Sequence, residues 1–201
     1  MINPVNELDA AVSDDQLAFR FVAGNRSLDL LSTLGDRHRQ PVERLREPSD
    51  LDRWLHGAGL SISRRASQRD LEAARDMRET TNRLIRAMLA RERPGTHDLR
   101  ELNEWARRPS LAPQADLTLR RRWVADQSVQ AALALIARGS VELLTGPDGS
   151  AIRECAAAPR CALLYLDRSR TGRRRWCQME ICGSRAKMTR YRRRRSTKSA
   201  G

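Results

Sequence analysis

Apolar side chains recur at helical spacing through the first three quarters of the chain. Over 67–93, Leu71, Ala74, Leu84, Ile85, Met88 and Leu89 form one stripe, Glu72, Arg75, Asp76, Arg78 and Glu79 are assigned to water, and Pro94-Gly95 is the stop. A shorter helix over 98–107 carries Leu99, Leu102 and Trp105 on one side and closes before Pro109. Over 128–144, Val129, Ala132, Leu133, Ile136, Val141 and Leu144 supply a buried face in a run rich in alanine and leucine. Two brief helices precede these. One spans 27–34, with Leu28, Leu30, Leu31 and Leu34 on a face and Gly35 as its end. The other spans 49–55, with Ser49 as N-cap, acids in its first turn and Gly57 and Gly59 as terminators.

Period-two alternation fits 19–22 and 117–124, the latter with Leu117, Leu119, Arg121 and Trp123 on one face. Segment 41–48 reads as a linker of mixed charge, and 1–17 as a loose polar N-terminus. The break at 145–149 divides a front domain, 18–148, from the C-terminal remainder of the chain. That domain is expected to be mostly helical with a few short strands.

The pattern changes after the break. All four cysteines, Cys155, Cys161, Cys177 and Cys182, fall in the last quarter as C-x5-C, a fifteen-residue spacer and C-x4-C. Two close pairs joined by a hairpin-length spacer suit one structural zinc ion held by four thiolates. The spacer offers a strand over 162–166, a turn at 170–173 with Gly172 able to take a positive φ, and a return strand over 174–176. Ser184 is placed to cap a basic helix over 185–195. The fold class expected is therefore α+β, with the helical front domain followed by a treble-clef-like module of β-hairpin plus basic helix over 149–195 and a disordered tail over 196–201. Cysteines also serve as small buried apolar residues, or as disulfides. Their confinement to one quarter argues against the first. Against the second stands the lack of a positively charged segment followed by an apolar run, which also makes a cytoplasmic location the expectation.

Charge follows the same division. The chain carries a formal +13, and the stretch from Cys155 onward holds 14 of the 38 lysines and arginines but only 2 of the 25 acids. Nearly all the excess therefore lies on the cysteine module and its tail, which is the footprint of a polyanion binder unless the run is merely a solvated tail. Arg185, Lys187, Arg190, Arg192, Arg193, Arg194 and Arg195 are candidates for phosphate contacts, with Arg185 best placed to read a base. Arg173, Arg174 and Arg175 would add contacts that position without specifying. A second basic run at 120–122 has Asp116 and Asp126 near it as offsets.

The run Leu166-Asp167-Arg168-Ser169-Arg170, then Arg173-Arg174-Arg175-Trp176-Cys177, Met179 and Cys182-Gly183-Ser184-Arg185-Ala186-Lys187, resembles the CGNR-type zinc finger. Ser184 stands where that family has its asparagine. In that family the finger follows an ABATE domain, in bacterial stress-induced transcription regulators. The segment Ser27-Leu28-Asp29-Leu30-Leu31-Ser32-Thr33-Leu34 is similar to the opening of that domain, with Asp29 and Thr33 matching and Ser32 in place of asparagine. The resemblance implies DNA binding by the finger and a front domain that senses a small-molecule or protein signal. It also points to Asp29 and Thr33 as a pocket or a structural polar cluster.

The sequence holds no Gly-x-Gly-x-x-Gly, no Walker-type Gly-Lys-Ser/Thr, no His-Glu-x-x-His and no Gly-x-Ser-x-Gly. His38, His56 and His97 are far apart in sequence, so an enzyme is not expected. No apolar run approaches the roughly 20 residues of a membrane span. Double-stranded DNA is the expected partner, and a homodimer would suit a two-fold operator. An RNA or ribosomal partner, with only Trp176 and Tyr191 to stack on bases, and an acidic protein partner remain open as alternatives.

Overall fold

The computed structural model describes residues 14–124, 128–158 and 160–198, excluding the side chains of residues 15, 16, 124 and 193–198. Helix α1 (Asp14–Leu17) is a single turn inside the segment expected to be loose. The rest of that expectation, 1–13, lies outside the described residues. Residues 19–22 form no regular secondary structure and pair with no strand among the described residues, so the alternation there does not mark a sheet.

Helix α2 (Arg26–Leu31) starts where the Asn25 side chain accepts the Ser27 N–H at 2.8 Å. It ends at Ser32, three residues before the predicted glycine stop. Leu34 and Gly35 instead form strand β1 (Leu34–Gly35), which pairs antiparallel with β2 (Val42–Glu43) from the supposed linker. Helix α3 (Pro48–Gly57) begins one residue early, with Glu47 rather than Ser49 as its N-cap. Proline is favoured at the first helical position. The Asp50 carboxylate accepts the Arg46 and Glu47 N–H groups at 2.8 and 3.0 Å.

Helix α4 (Gln68–Ala90) is the axis of the front domain, capped by Ser67 and ended by Arg91 in the left-handed region. Its inward face holds Leu71, Ala74, Met77, Leu84 and Ile85, and α5 (Thr96–Arg107) and α6 (Val129–Thr145) pack against it. Met88 is half-buried, whereas Leu89 is exposed. Strand β3 (Ala112–Ala115), which the apolar pattern gave no sign of, pairs with β4 (Arg121–Val124). The predicted strand 117–124 is thereby halved. Leu117 and Leu119 belong to the connecting turn and lie open to solvent, and Leu119 has φ 57°. The Asp116 carboxylate accepts the Thr118 and Arg120 N–H groups and so closes that turn. Arg122 lies 3.9 Å from Asp116, while Asp126 is outside the described residues.

Polar periodicity misassigns the outer face of α4. Arg78 is 3% exposed. Its guanidinium holds both Glu43 carboxylate oxygens at 2.7 Å, Glu79 at 2.7 Å and the Thr33 hydroxyl at 3.1 Å. Arg37 donates to both Glu79 carboxylate oxygens, at 2.7 and 3.1 Å. These ion pairs tie the β1–β2 ribbon to α4 and hold the Glu79 carboxyl below its ordinary range against the opposing effect of burial. Arg75, also assigned to water, donates to the Leu45 and Arg46 carbonyls instead. Arg138 closes the end of α5 by donating to the Ala106 and Arg108 carbonyls at 2.8 and 2.9 Å.

The break after α6 is a 3-10 turn (Pro147–Ala151), and the chain does not leave the core there. Strand β5 (Ile152–Glu154) pairs antiparallel with β6 (Leu164–Leu166). The hairpin therefore encloses the first cysteine pair; the expected return strand at 174–176 forms no ladder. Ile152, Leu164, Tyr165 and Leu166 join Leu28, Leu31, Ile85 and Leu143 in one buried cluster, so the cysteine module and the front domain share apolar core. The Leu166 N–H donates to the Ala23 carbonyl at 2.9 Å across that seam. Arg86 grips Glu154 at 2.7 and 3.0 Å, which lowers the Glu154 pKa.

Replacing Arg78 by methionine takes the close cationic partner from Glu43, while Arg37 still holds Glu79, and is expected to cost about 3 kcal/mol of unfolding free energy in urea titration. Adding Glu43→Leu should recover part of that loss, because the uncompensated carboxylate is removed.

Candidate metal centre

Two backbone knuckles bring the cysteines together. In the first, the Cys155 N–H donates to the Leu163 carbonyl at 3.0 Å, and the five-residue loop turns back through Ala158 N–H to Cys155 O at 3.1 Å. In the second, a π-helical turn (Met179–Gly183) aims the Cys182 and Gly183 N–H groups at the Gln178 carbonyl, at 3.0 and 3.2 Å. Gly183 is needed there because a Cβ would meet the Trp176 ring at 3.2 Å and the Met179 side chain. The Asp167 carboxylate organises the intervening loop by accepting the Ser169 and Arg174 N–H groups at 3.0 and 2.8 Å. Tyr165 donates its hydroxyl proton to the Arg174 carbonyl.

The four sulfur atoms lie within 4.8 Å of one another. Cys161 Sγ is 3.7 Å and Cys182 Sγ 3.6 Å from Cys177 Sγ. Four sulfurs each about 2.3 Å from a tetrahedral ion would be separated by about 3.8 Å, and a disulfide would need about 2.0 Å. The spacing is thus that of one zinc site. Cys155, Cys177 and Cys182 are buried and Cys161 is half-buried. The C-x5-C loop brings Cys155 fully into the cluster, where its sulfur accepts the Cys177 N–H at 3.5 Å.

Charge supplies the second argument. Hydrogen bonds from Cys161 and Cys177 draw the Cys155 thiol towards its thiolate. Hydrogen bonding to Cys155 pushes Cys161 and Cys177 up, and burial pushes Cys182 up to about 12. Four thiolates cannot share so small a buried volume without a divalent cation. Four sulfur ligands close a tetrahedral site, so the zinc is structural and no position remains for water.

Helix α7 (Ser184–Lys198) continues directly from the π turn. Ser184 does not cap it as predicted, because the turn before it is already helical; its hydroxyl donates to the Met179 carbonyl at 3.4 Å. The helix runs to Lys198, so the tail predicted as disordered from 196 is helical over its first three residues, and 199–201 lie outside the described residues. Arg185, Lys187, Arg190 and Arg192 are exposed. The side chains of Arg193, Arg194 and Arg195 fall outside the described residues. Arg173 is exposed, and Arg175 stacks over Trp176 at 5.0 Å. Arg174 is committed within the module. It donates to the Trp176 and Cys177 carbonyls and stacks 4.7 Å over the Tyr165 ring.

Asp29 and Thr33 do not share a cavity. Thr33 is fully buried, donating to the Leu30 carbonyl at 2.7 Å and accepting from Arg78. Asp29 is 7% exposed, accepts the Ala23 N–H at 2.9 Å and borders an open cavity beside Asn25, Arg26 and Gly139. Burial raises its pKa from 3.8 to about 6, against the lowering effect of the Ala23 and Val22 N–H groups.

Comparison with known families matches two models in succession. Residues 24–147 match ABATE, described as a putative stress-induced transcription regulator, and residues 152–195 match the CGNR zinc finger. No curated protein matches the chain.

Metal analysis of the purified chain is expected to give one zinc per chain. Chelation should lower the melting temperature on the order of 10 °C in calorimetry and disturb both parts of the chain, because the ligands belong to the shared core. Carbon-detected NMR titration should place the Asp29 midpoint near 6. Since the folded state holds this proton more tightly than the unfolded chain, the Asp29 contribution to stability falls as pH rises from about 4 to about 6. Asp29→Asn should remove that part of the slope.

Proposed function

The chain belongs to the ABATE family of transcription regulators, with a CGNR zinc finger following the family domain, and on that premise we propose that it binds double-stranded DNA through helix α7. The carrying observation is the surface of that helix. From Ser184 to Arg192 every side chain is exposed except the half-buried Ala186, and the sequence from Ser184 onward contains no acid. A helix so charged repels itself, and a polyanion relieves the repulsion. The duplex phosphate backbone provides such an anion, with release of its condensed counterions.

Arg185, Lys187, Arg190 and Arg192 take phosphate contacts in this reading, joined by Arg193, Arg194 and Arg195. Arg185, in the first turn after the zinc knuckle, is the base reader, since its fork matches guanine O6 and N7. Arg173 and Arg175 add positioning contacts; Arg174 is left out because carbonyls already occupy its guanidinium. Single-stranded RNA fits less well. Trp176 is half-buried and covered by Arg175, which leaves Tyr191 as the exposed ring of the module. The front domain senses the signal, and no catalytic role is assigned to it. No helix among the described residues is long and apolar enough to cross a membrane.

Selection from a random duplex pool with the zinc-loaded full chain tests this reading. A chain ending at Gly149 is the wrong control, because it would uncover Leu28, Leu31, Ile85 and Leu143. The full chain with Arg185→Ala is the right one and is expected to lose the enriched motif. Replacing Lys187, Arg190 and Arg192 by alanine should weaken all duplexes alike and reduce the salt slope by about one unit per lost contact. Complexes with acidic proteins in nuclease-treated lysate, together with an unchanged slope, would move the function to a protein partner.

A further inference from the structure

A cavity of about 470 Å³ lies in the seam between the front domain and the zinc module. Its walls come from both. The front domain gives Arg20, Leu31, Ser32, Leu34 and the β1–β2 ribbon, and the zinc module gives Arg160, Leu163, Leu164 and Arg185. This volume falls within the roughly 300–1,000 Å³ of small-molecule sites, and the lining has their mixed character, with Leu31, Leu34, Val42, Leu163 and Leu164 set among arginines.

Charge specifies the ligand. Six arginines border the cavity: Arg20, Arg37, Arg39, Arg44, Arg160 and Arg185. Against them stand Asp36 and two of the zinc-bound thiolates, and the whole tetrathiolate centre carries a net charge of about minus two. Arg37 is further neutralised by Glu79. Among the described residues no carboxylate pairs with Arg20, Arg39, Arg160 or Arg185. Arg44 is buried in the floor and donates to the Ser32 carbonyl at 2.8 Å. Its guanidinium lies against Gly35, where a Cβ would displace it. Positive charge therefore remains in excess around this recess. Guanidinium groups match phosphate and carboxylate in bidentate geometry.

We propose that this cavity binds a small organic anion, an apolar body carrying a phosphate or carboxylate group, and that the bound anion engages Arg185 and thereby weakens DNA binding. The coupling rests on the DNA reading of α7; the binding does not. Arg185 can serve one anion at a time, so ligand and duplex oppose each other, and by linkage each lowers the affinity of the other by the same factor.

Phenyl phosphate, which joins a ring to a dianion, is the probe. The zinc-loaded full chain is titrated with it at physiological salt and without DNA, by calorimetry and amide NMR. Benzoate and inorganic phosphate are run in parallel. Saturable binding of phenyl phosphate or benzoate is expected, at least about tenfold tighter than inorganic phosphate, and whichever organic anion binds more tightly identifies the head group. Arg20→Ala with Arg160→Ala should weaken it on the order of tenfold, with zinc content and melting temperature retained. No saturable binding, equal binding of inorganic phosphate, or undiminished binding by the double variant would overturn the site.

Duplex affinity is then measured with and without the probe. A fall that disappears in Arg185→Ala supports the coupling, and an unchanged duplex affinity overturns it. Competition that persists in Arg185→Ala would make the cavity a seat for a DNA phosphate and overturn the ligand assignment. Should the chain bind no duplex yet bind the probe through Arg20 and Arg160, the DNA reading of α7 falls and the cavity stands.

Discussion

Four sulfur atoms confined to a few ångströms form the constraint on which the rest of this chain depends. Thiolates at 3.6 and 3.7 Å repel strongly in a buried setting, and only a divalent cation makes their proximity favourable. Once a cation holds them, Cys155, Cys177 and Cys182 become part of an apolar cluster that also contains Leu28, Ile85 and Leu143. Zinc ligation therefore contributes folding energy beyond a small finger. It fixes the hairpin against α2 and α4, and the seam between the two parts inherits its shape from the metal.

Arginine does two kinds of work in this chain, and its surroundings separate them. In the front domain guanidinium groups finish the fold: Arg78 and Arg37 bind Glu43 and Glu79, while Arg75 and Arg138 serve loop and helix-end carbonyls. Each of those cations has its guanidinium hydrogen-bonded to a protein partner and is poorly placed to bind anything else. On α7 the cations Arg185, Lys187, Arg190 and Arg192 are exposed, and no acid follows Ser184 in the sequence. The same residue type is thus structural where carboxylates or carbonyls converge on it, and available where they do not. Arg174 is the instructive exception, a basic residue of the finger that braces its own knuckle.

The contrast also explains how much the sequence disclosed. The helices around α4 were legible because packing at period 3.6 leaves a strong apolar stripe, and the zinc site was legible because cysteine spacing is short-range. The β1–β2 ribbon and β3 were not. They are two and four residues long, and what fixes them is the Arg78–Glu43 pair and the Asp116 turn, which no periodicity announces. The burial of Arg78 was hidden for the same reason, since a charged residue on a helix reads as solvent-facing until its partners are known. The return strand at 174–176 was predicted because a zinc hairpin needs one. The chain meets that need with β5, upstream of the first cysteine, and leaves 174–176 to hydrogen-bond through single carbonyls. The seam cavity draws its arginines from residues 20 to 185, so it exists only once the two parts have docked.

That docking bears on how a signal could reach DNA. Two domains on a flexible tether would need a large rearrangement to communicate. Here the zinc ligands Cys161 and Cys182 line the same cavity as Ser32 and Arg44 of the front domain, and Arg185 follows Cys182 by three residues. A ligand there would not need to move a domain. Redirecting one guanidinium by a few ångströms would change the first turn of α7, where a base contact is most sensitive to orientation. On the proposed DNA reading, a difference of about 1.4 kcal/mol between two Arg185 positions is already a tenfold change in DNA affinity. The rigidity imposed by zinc makes so small a displacement count, because a loose finger would absorb it.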